Sequence, residues 1–217
     1  LAFRRDGDIW RISPADSVAT LLIATSGVDR DPVWSPFIDL PPDPLATTQI
    51  AFGGYTWQSH EGIYVVNHDG TDAHWIVRDA EQPKWSPDGT KFAFASEDEP
   101  LSGGTDFRNS EIWVMDVDGS DHIRLTADAA GGPDDTQPTW APDGSQVAFV
   151  SDRDGNPELY VVRVDGTDMR RLTFTSDWEE SPAWSPDGSR IAFTRGNIVI
   201  NNFPSPPARP RVFGALR

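Results

Sequence analysis

The sequence feature that most constrains the fold is a segment of the form Pro-x-Trp-Ser/Ala-Pro, which occurs four times in the 217 residues. Its tryptophans are Trp34, Trp85, Trp140 and Trp184, which lie 51, 55 and 44 residues apart. Self-similarity with a spacing of this order is typical of solenoids and propellers. In such folds each repeat buries its apolar surface against its neighbours, because one unit alone cannot form a core.

The remainder of each repeat predicts a unit of short β-strands. Three copies continue with Asp-Gly and an apolar-Ala-Phe triplet, and an aliphatic-aromatic pair and a second Asp-Gly follow. Asp-Gly between apolar runs indicates a two-residue hairpin whose central residues both take φ > 0. No stretch shows a sustained helical period, so we expect almost no helix. Four-stranded sheets stacked around an axis form an all-β propeller, and a linear solenoid is the alternative.

The apolar-Ala-Phe triplet predicts about five blades. It occurs five times, beginning with Leu1-Ala2-Phe3 and ending with Ile191-Ala192-Phe193. The first repeat lacks the tryptophan strand and the last lacks a clear fourth strand, so an incomplete six-bladed ring is the alternative. We expect residues 1–201 to form the propeller. Residues 202–217 are rich in Pro and Arg, and we expect them to form a C-terminal tail.

Residues 82–194 resemble the WD40-like (PD40) β-propeller repeat of the TolB family, with the looser repeats of residues 1–81 before them. They are similar also to the propellers fused to prolyl-oligopeptidase-type peptidases. A true WD40 repeat is disfavoured, because the chain contains no Trp-Asp dipeptide. The resemblance implies a β-propeller that binds proteins, in the periplasm or outside the cell of a bacterium.

The charge balance restricts the choice of partners. The chain has 18 Lys and Arg against 34 Asp and Glu, a net charge of −16. An acidic surface of this kind repels phosphate backbones, so we exclude nucleic acid as a partner. No run of about 18 apolar residues predicts a membrane span. The absence of cysteine excludes disulfides and thiolate chemistry.

Two long connections are predicted to lie side by side on one face, and we expect them to bind a protein partner. They are the loop around residues 97–109 and the connection over residues 127–137. Long loops on a rigid scaffold are the usual place for function. The alternative is that their acidic side chains only solvate the loops. The predicted partner-binding residues are Glu97, Asp98, Glu99, Asp106, Asp134, Asp135, Trp57 and Trp178.

The residues just before each Pro-x-Trp segment are expected to ring the mouth of a central channel. They include Asp31, Gln82, Gln137 and Glu180. Carboxylate and amide oxygens on one face also suit Ca²⁺ or another divalent cation, which is the cofactor alternative. No fixed ligand spacing supports a particular metal set.

The sequence offers no catalytic constellation. The four histidines are not placed to converge on the channel, and no G-x-S-x-G nucleophile elbow occurs. We therefore predict a non-catalytic scaffold that recognises a protein through an acidic loop face. One alternative is a carbohydrate lyase or hydrolase with a divalent metal at the channel mouth. Another is the propeller of a larger protein, such as a prolyl-oligopeptidase-type peptidase.

Overall fold

The computed structural model describes residues 2–6, 8–12, 19–23, 30–36, 48–55, 61–97, 109–127, 132–195 and 197–202. Every regular element within these ranges is a β-strand. The prediction of an all-β chain is therefore confirmed. The predicted tail, beyond Asn202, lies outside the described residues.

The strands form five antiparallel sheets, and the chain passes through them in order. The first sheet holds β1 (Ala2–Arg5), β2 (Asp8–Ile12) and β3 (Ala19–Ile23). The second holds β4 (Arg30–Trp34), β5 (Gln49–Tyr55), β6 (Glu61–Asn67) and β7 (His74–Arg78). The third holds β8 (Ala80–Trp85), β9 (Lys91–Ser96), β10 (Glu111–Asp116) and β11 (Ile123–Arg124). The fourth holds β12 (Asp135–Trp140), β13 (Gln146–Ser151), β14 (Glu158–Arg163) and β15 (Arg170–Arg171). The fifth holds β16 (Glu180–Trp184), β17 (Arg190–Arg195) and β18 (Asn197–Asn202).

The sheets are the blades of a β-propeller. Strand β4 contacts β8, β8 contacts β12, and β12 contacts β16, so the tryptophan strands of consecutive sheets meet near a common axis. The fourth strands β7, β11 and β15 make their main contacts within their own sheets. This difference is expected when the first strand of each sheet is innermost and the fourth is outermost.

The hydrophobic core is divided among the junctions between neighbouring sheets. Each of four apolar clusters combines residues of two consecutive blades. Between the third and fourth blades, for example, Ile112 and Val114 lie in one cluster with Trp140, Val147 and Phe149. Each sheet thus buries a face against the next one, as the repeat predicts.

The repeated tryptophans act as wedges between blades. The indole N–H of Trp85 donates to the carbonyl of Val33 in the preceding blade, at 3.3 Å. The indole N–H of Trp140 donates in the same way to Lys84, at 3.0 Å. Trp184 occupies the equivalent position in the fifth blade, but its buried Nε1 has no hydrogen-bond partner. The last junction therefore lacks a bond that the two before it possess.

The Asp-Gly turns differ from the predicted two-residue hairpin. Gly144 has φ of +70°, whereas Asp143 is not among the residues with positive φ. The Gly144 N–H bonds to the carbonyl of Ala141, so Pro142 and Asp143 are the central residues and glycine follows them. Proline suits the first central position of type I and type II turns alike, and the absence of positive φ at Asp143 identifies this one as type I. The Asp143 carboxylate closes the turn by accepting bonds from the N–H and hydroxyl of Ser145 at 3.0 and 2.7 Å.

Candidate functional site

A pocket with an acidic lining lies between the second and third blades, where the strands end on one face. Its volume is about 170 Å³. Within the described part of the chain seven residues line it, of which four carry carboxyl groups and none is Lys or Arg. The lining residues are Glu61, Asp79, Ala80, Glu81, Ser96, Glu97 and Ser110.

The antiparallel pairing of the strands brings these carboxyl groups together. Glu61 opens β6, Glu81 lies near the start of β8, and Glu97 directly follows β9. Asp79 lies in the tight connection from β7 to β8 with φ of +50°. Its N–H donates to the carbonyl of Glu61 at 2.9 Å, and its own carbonyl accepts the hydroxyl of Ser96 at 2.7 Å. The backbone of the pocket is thus tied across the two blades.

The electrostatics of the pocket favour a positive ligand. Burial raises the pKa of Glu81 above its ordinary value, and the carboxylate of Glu61 raises it further. Arg30 acts in the opposite direction, while Asp31 and Glu97 add to the rise. A cationic group that entered the pocket would relieve this repulsion, because an opposite charge within a few ångströms favours the ionised carboxylate.

Two of the residues predicted to ring the channel mouth join one blade to the next. Asp31, Gln82, Gln137 and Ser181 occupy equivalent places in their strands, and all have φ between 51° and 55°. The side-chain carbonyl of Gln82 accepts the N–H of Gln137 at 2.7 Å. The side-chain carbonyl of Gln137 accepts the N–H of Ser181 at 2.5 Å. Both glutamines therefore bridge consecutive blades, and Glu180 lies one residue before the position that they define.

The structure corrects one predicted partner contact. The Asp135 side chain is fully buried, and its carboxylate accepts two bonds from Arg153 at 2.8 and 3.0 Å. It is therefore not available to a partner. Its neighbour Asp134 accepts the N–H of Ser110 at 2.9 Å and so ties the connection to the third blade.

The other predicted partner-binding residues fall into three groups. Glu97 lies in the pocket. Trp178 is 66% exposed, and it lies in the connection that also carries the 75% exposed Phe174. Trp57, Asp98, Glu99 and Asp106 lie outside the described residues.

Sequence reasoning missed Glu61, Asp79 and Phe174 as site residues. Each lies at a strand end or in a short connection, with no motif around it. Glu61 and Asp79 are brought together by the pairing of neighbouring strands, which the sequence pattern does not reveal.

Among the described residues, no group of three or more His, Cys, Asp or Glu is placed to hold a metal ion. In the same residues we find no helix with the length and hydrophobicity needed to cross a membrane.

Comparison with known families agrees with the repeat pattern. The family model of the TolB β-propeller domain (PD40) matches residues 47–205, which is well over half of the chain. The chain belongs to the TolB β-propeller (PD40) family.

Two curated relatives illustrate the range of proteins that carry this propeller. The Tol-Pal system protein TolB of Bordetella pertussis is 32% identical over 161 residues, covering 56% of this chain and 36% of the relative. The uncharacterised peptidase YuxL of Bacillus subtilis is 34% identical over 92 residues, covering 42% of this chain and 13% of the relative. The chain thus spans well under half the length of these relatives.

Solved structures share the fold at lower sequence identity. TolB from Acinetobacter baumannii superposes with a TM-score of 0.70 at 22% identity, covering 90% of this chain and 46% of that one. An oligogalacturonate lyase in complex with manganese superposes with a TM-score of 0.60 at 19% identity, covering 89% of this chain and 52% of the lyase chain. The propeller fold is therefore shared by TolB and by an enzyme, and fold alone does not assign the function.

Proposed function

We propose that this propeller is a non-catalytic recognition scaffold, which binds a basic segment of a protein partner through the acidic pocket between its second and third blades. The observation that carries the proposal is the acidic lining of that pocket, to which four carboxyl groups contribute among the residues that the structure describes. Lys and Arg fit it by shape and charge, because their aliphatic stems enter a groove while the charged ends reach its carboxylates.

The whole-molecule charge supports the same class of partner. A net charge of −16 attracts basic proteins from a distance and speeds their encounter. The relative named as a Tol-Pal system protein supports a protein partner and a periplasmic location. We propose both for this chain.

The experiment measures binding of a lysine decapeptide by calorimetry, at low and at physiological salt. The test variant combines Glu81→Gln with Glu97→Gln, which removes two pocket charges. The matched control combines Asp177→Asn with Glu180→Gln, which removes two exposed charges elsewhere. Because each exposed ion pair contributes about 0.2–1 kcal/mol and two are removed, we expect the test variant to bind about twofold to thirtyfold more weakly.

The control should lose much less affinity, and a glutamate decapeptide should not bind the wild-type protein. Equal weakening in the test and control variants would mean that only net charge matters. In that case the pocket would not be the recognition site.

A second candidate function is supported by the similarity to the B. subtilis peptidase. In that reading the propeller is the recognition domain of a longer peptidase and admits substrates to a catalytic domain. Reading the coding sequence on both sides of this chain tests it. A G-x-S-x-G nucleophile elbow followed by a histidine would support the peptidase, and its absence from the complete gene would dismiss it.

A further inference from the structure

Two glutamates are buried side by side at the junction of the fourth and fifth blades. Glu158 opens β14, and Glu179 immediately precedes β16. Both side chains are 0% exposed. Thr175 lies between the two carboxyl groups, because its N–H donates to Glu158 and its hydroxyl donates to Glu179. Two ionised carboxylates close together inside a protein repel strongly, and this repulsion favours protonation of one of them.

Among the described residues, hydrogen bonds of 2.6 to 2.8 Å reach only one oxygen of each glutamate, although the Thr173 hydroxyl also lies close to Glu158. Glu158 Oε1 accepts Arg171 Nη2 and the N–H of Thr175, each at 2.6 Å. Glu179 Oε1 accepts the hydroxyl of Thr175 at 2.8 Å. The remaining Oε2 atom of each glutamate is buried and has no hydrogen-bond donor. A proton on one of these carboxyl groups would supply a donor at this junction, since a protonated carboxyl group donates and a carboxylate accepts.

The surroundings decide which glutamate carries that proton. Arg171 binds Glu158 closely, whereas Arg195 lies 3.7 Å from Glu179 and is 32% exposed. Burial acts to raise the pKa of Glu158, but hydrogen bonds from Thr173, Thr175 and Arg171 outweigh it and lower that pKa. Burial raises the pKa of Glu179, and the adjacent Glu158 raises it as well. Arg171 also pairs with Asp154, which accepts the hydroxyl of Tyr160.

The preceding junction provides an internal comparison. Asp135 lies five residues before Trp140, as Glu179 does before Trp184. There Arg153 donates two hydrogen bonds to Asp135. Glu111 opens β10, as Glu158 opens β14. One of its carboxylate oxygens accepts a hydrogen bond from Arg124 and the other accepts one from the hydroxyl of Thr126, both at 2.6 Å. Every carboxyl group at that junction has its own donors, so no shared proton is needed.

We propose that Glu158 and Glu179 share one proton and form a pH-sensitive latch, which holds the connection with Phe174 and Trp178 against the fourth blade. Thr175 joins this connection to both glutamates. Asn156 also holds it, through the carbonyls of Thr175 and Asp177 at 3.3 and 2.7 Å. Loss of the proton places two negative charges in contact beneath Thr175. The latch therefore controls how two exposed aromatic side chains are presented.

The direction of the pH effect follows from the raised pKa of Glu179. Its stabilising contribution is fully present below the ordinary glutamate pKa of about 4.3 and is lost as pH rises through the higher folded-state value. The latch is thus closed at acidic pH and opens toward alkaline pH. For each pH unit between the two pKa values, the opening equilibrium changes by about tenfold.

The first test follows hydrogen exchange of the peptide that covers residues 172–180, between pH 5 and 9. The peptide over residues 111–127 corrects for the intrinsic pH dependence of exchange. In the wild-type protein we expect protection of 172–180 to fall about tenfold per pH unit across the titration window. In Glu179→Gln, which supplies an amide donor at every pH, protection should no longer depend on pH. The matched control Glu180→Gln should behave like the wild type, and identical pH dependence in all three proteins would overturn the latch.

A second measurement does not depend on the folding of Glu179→Gln. The protein contains eight glutamates, and ¹³C labelling of their carboxyl carbons reports each titration by NMR. Two should titrate above the ordinary range, because the pKa of Glu81 is raised as well. The Glu81→Gln variant should remove one of them and leave the Glu179 signal. If no elevated titration remains in Glu81→Gln, the shared proton does not exist.

Discussion

Substitution of Trp140 by Phe isolates the wedge contact that joins the third and fourth blades. The side chain of Trp140 is 8% exposed, and its indole N–H bonds to the carbonyl of Lys84 at 3.0 Å. Phenylalanine keeps an aromatic ring in the cluster but removes the donor and part of the volume. The lost hydrogen bond costs about 0.5–1.5 kcal/mol net. The lost apolar contact adds about 1 kcal/mol or slightly more, because burial of a methylene-sized group contributes about 0.8 kcal/mol.

The matched control is Trp184→Phe in the fifth blade. Trp184 occupies the same repeat position, but its buried Nε1 has no partner. Phenylalanine removes this unsatisfied donor, so the loss of packing is partly offset by relief from a desolvation cost of about 1–3 kcal/mol. We expect Trp140→Phe to lower the free energy of unfolding by about 2 kcal/mol, and Trp184→Phe to change it by less than about 1 kcal/mol.

Urea unfolding followed by far-ultraviolet circular dichroism measures both variants. The slope of the transition should stay that of the wild type, so that the midpoint alone reports stability. An equal loss at the two tryptophans would refute the reasoning, because it would show that the indole hydrogen bond contributes nothing at the third junction. A larger loss of stability in Trp184→Phe than in Trp140→Phe would also contradict the prediction, because it would mean that the tryptophan without a hydrogen bond contributes more.

Two further substitutions test the turn and the buried ion pair. Gly144→Ala should cost about 1–2 kcal/mol, because an L-residue is strained at its φ of +70° even though the nearest atom to an added Cβ is 4.0 Å away. Gly53→Ala is its control, since the added Cβ there meets only ordinary contacts at 3.7 Å or more without positive φ; equal melting temperatures for both would contradict the turn assignment. Arg153→Met should cost about 3–5 kcal/mol near neutral pH, because it leaves the buried Asp135 without its partner. If Arg153→Met melts at the wild-type temperature in a calorimetric scan, the buried pair has no structural role.

The repeat in the sequence was sufficient to predict the architecture. Spacing of the tryptophan segments, Asp-Gly turns and apolar triplets specified the strand order, and the structure has that order in five sheets. Such patterns are readable because strand alternation and turn chemistry are local properties of the chain. The turn type was nevertheless mistaken, since the aspartate is the second central residue and the glycine follows the turn, with or without a preceding proline, as at Gly144 and Gly166.

The candidate sites could be predicted only in outline. The sequence assigned Asp134 and Asp135 the same role, but Arg153 buries and neutralises only Asp135. It placed Glu180 at the channel mouth and gave no role to the preceding residue Glu179, which the structure buries while Glu180 is exposed. A carboxylate's role depends on its partners across blades, and those partners lie far away in the sequence. Local chemistry therefore decides that the chain forms blades, while only their packing decides which charges face solvent, which are paired and which must share a proton.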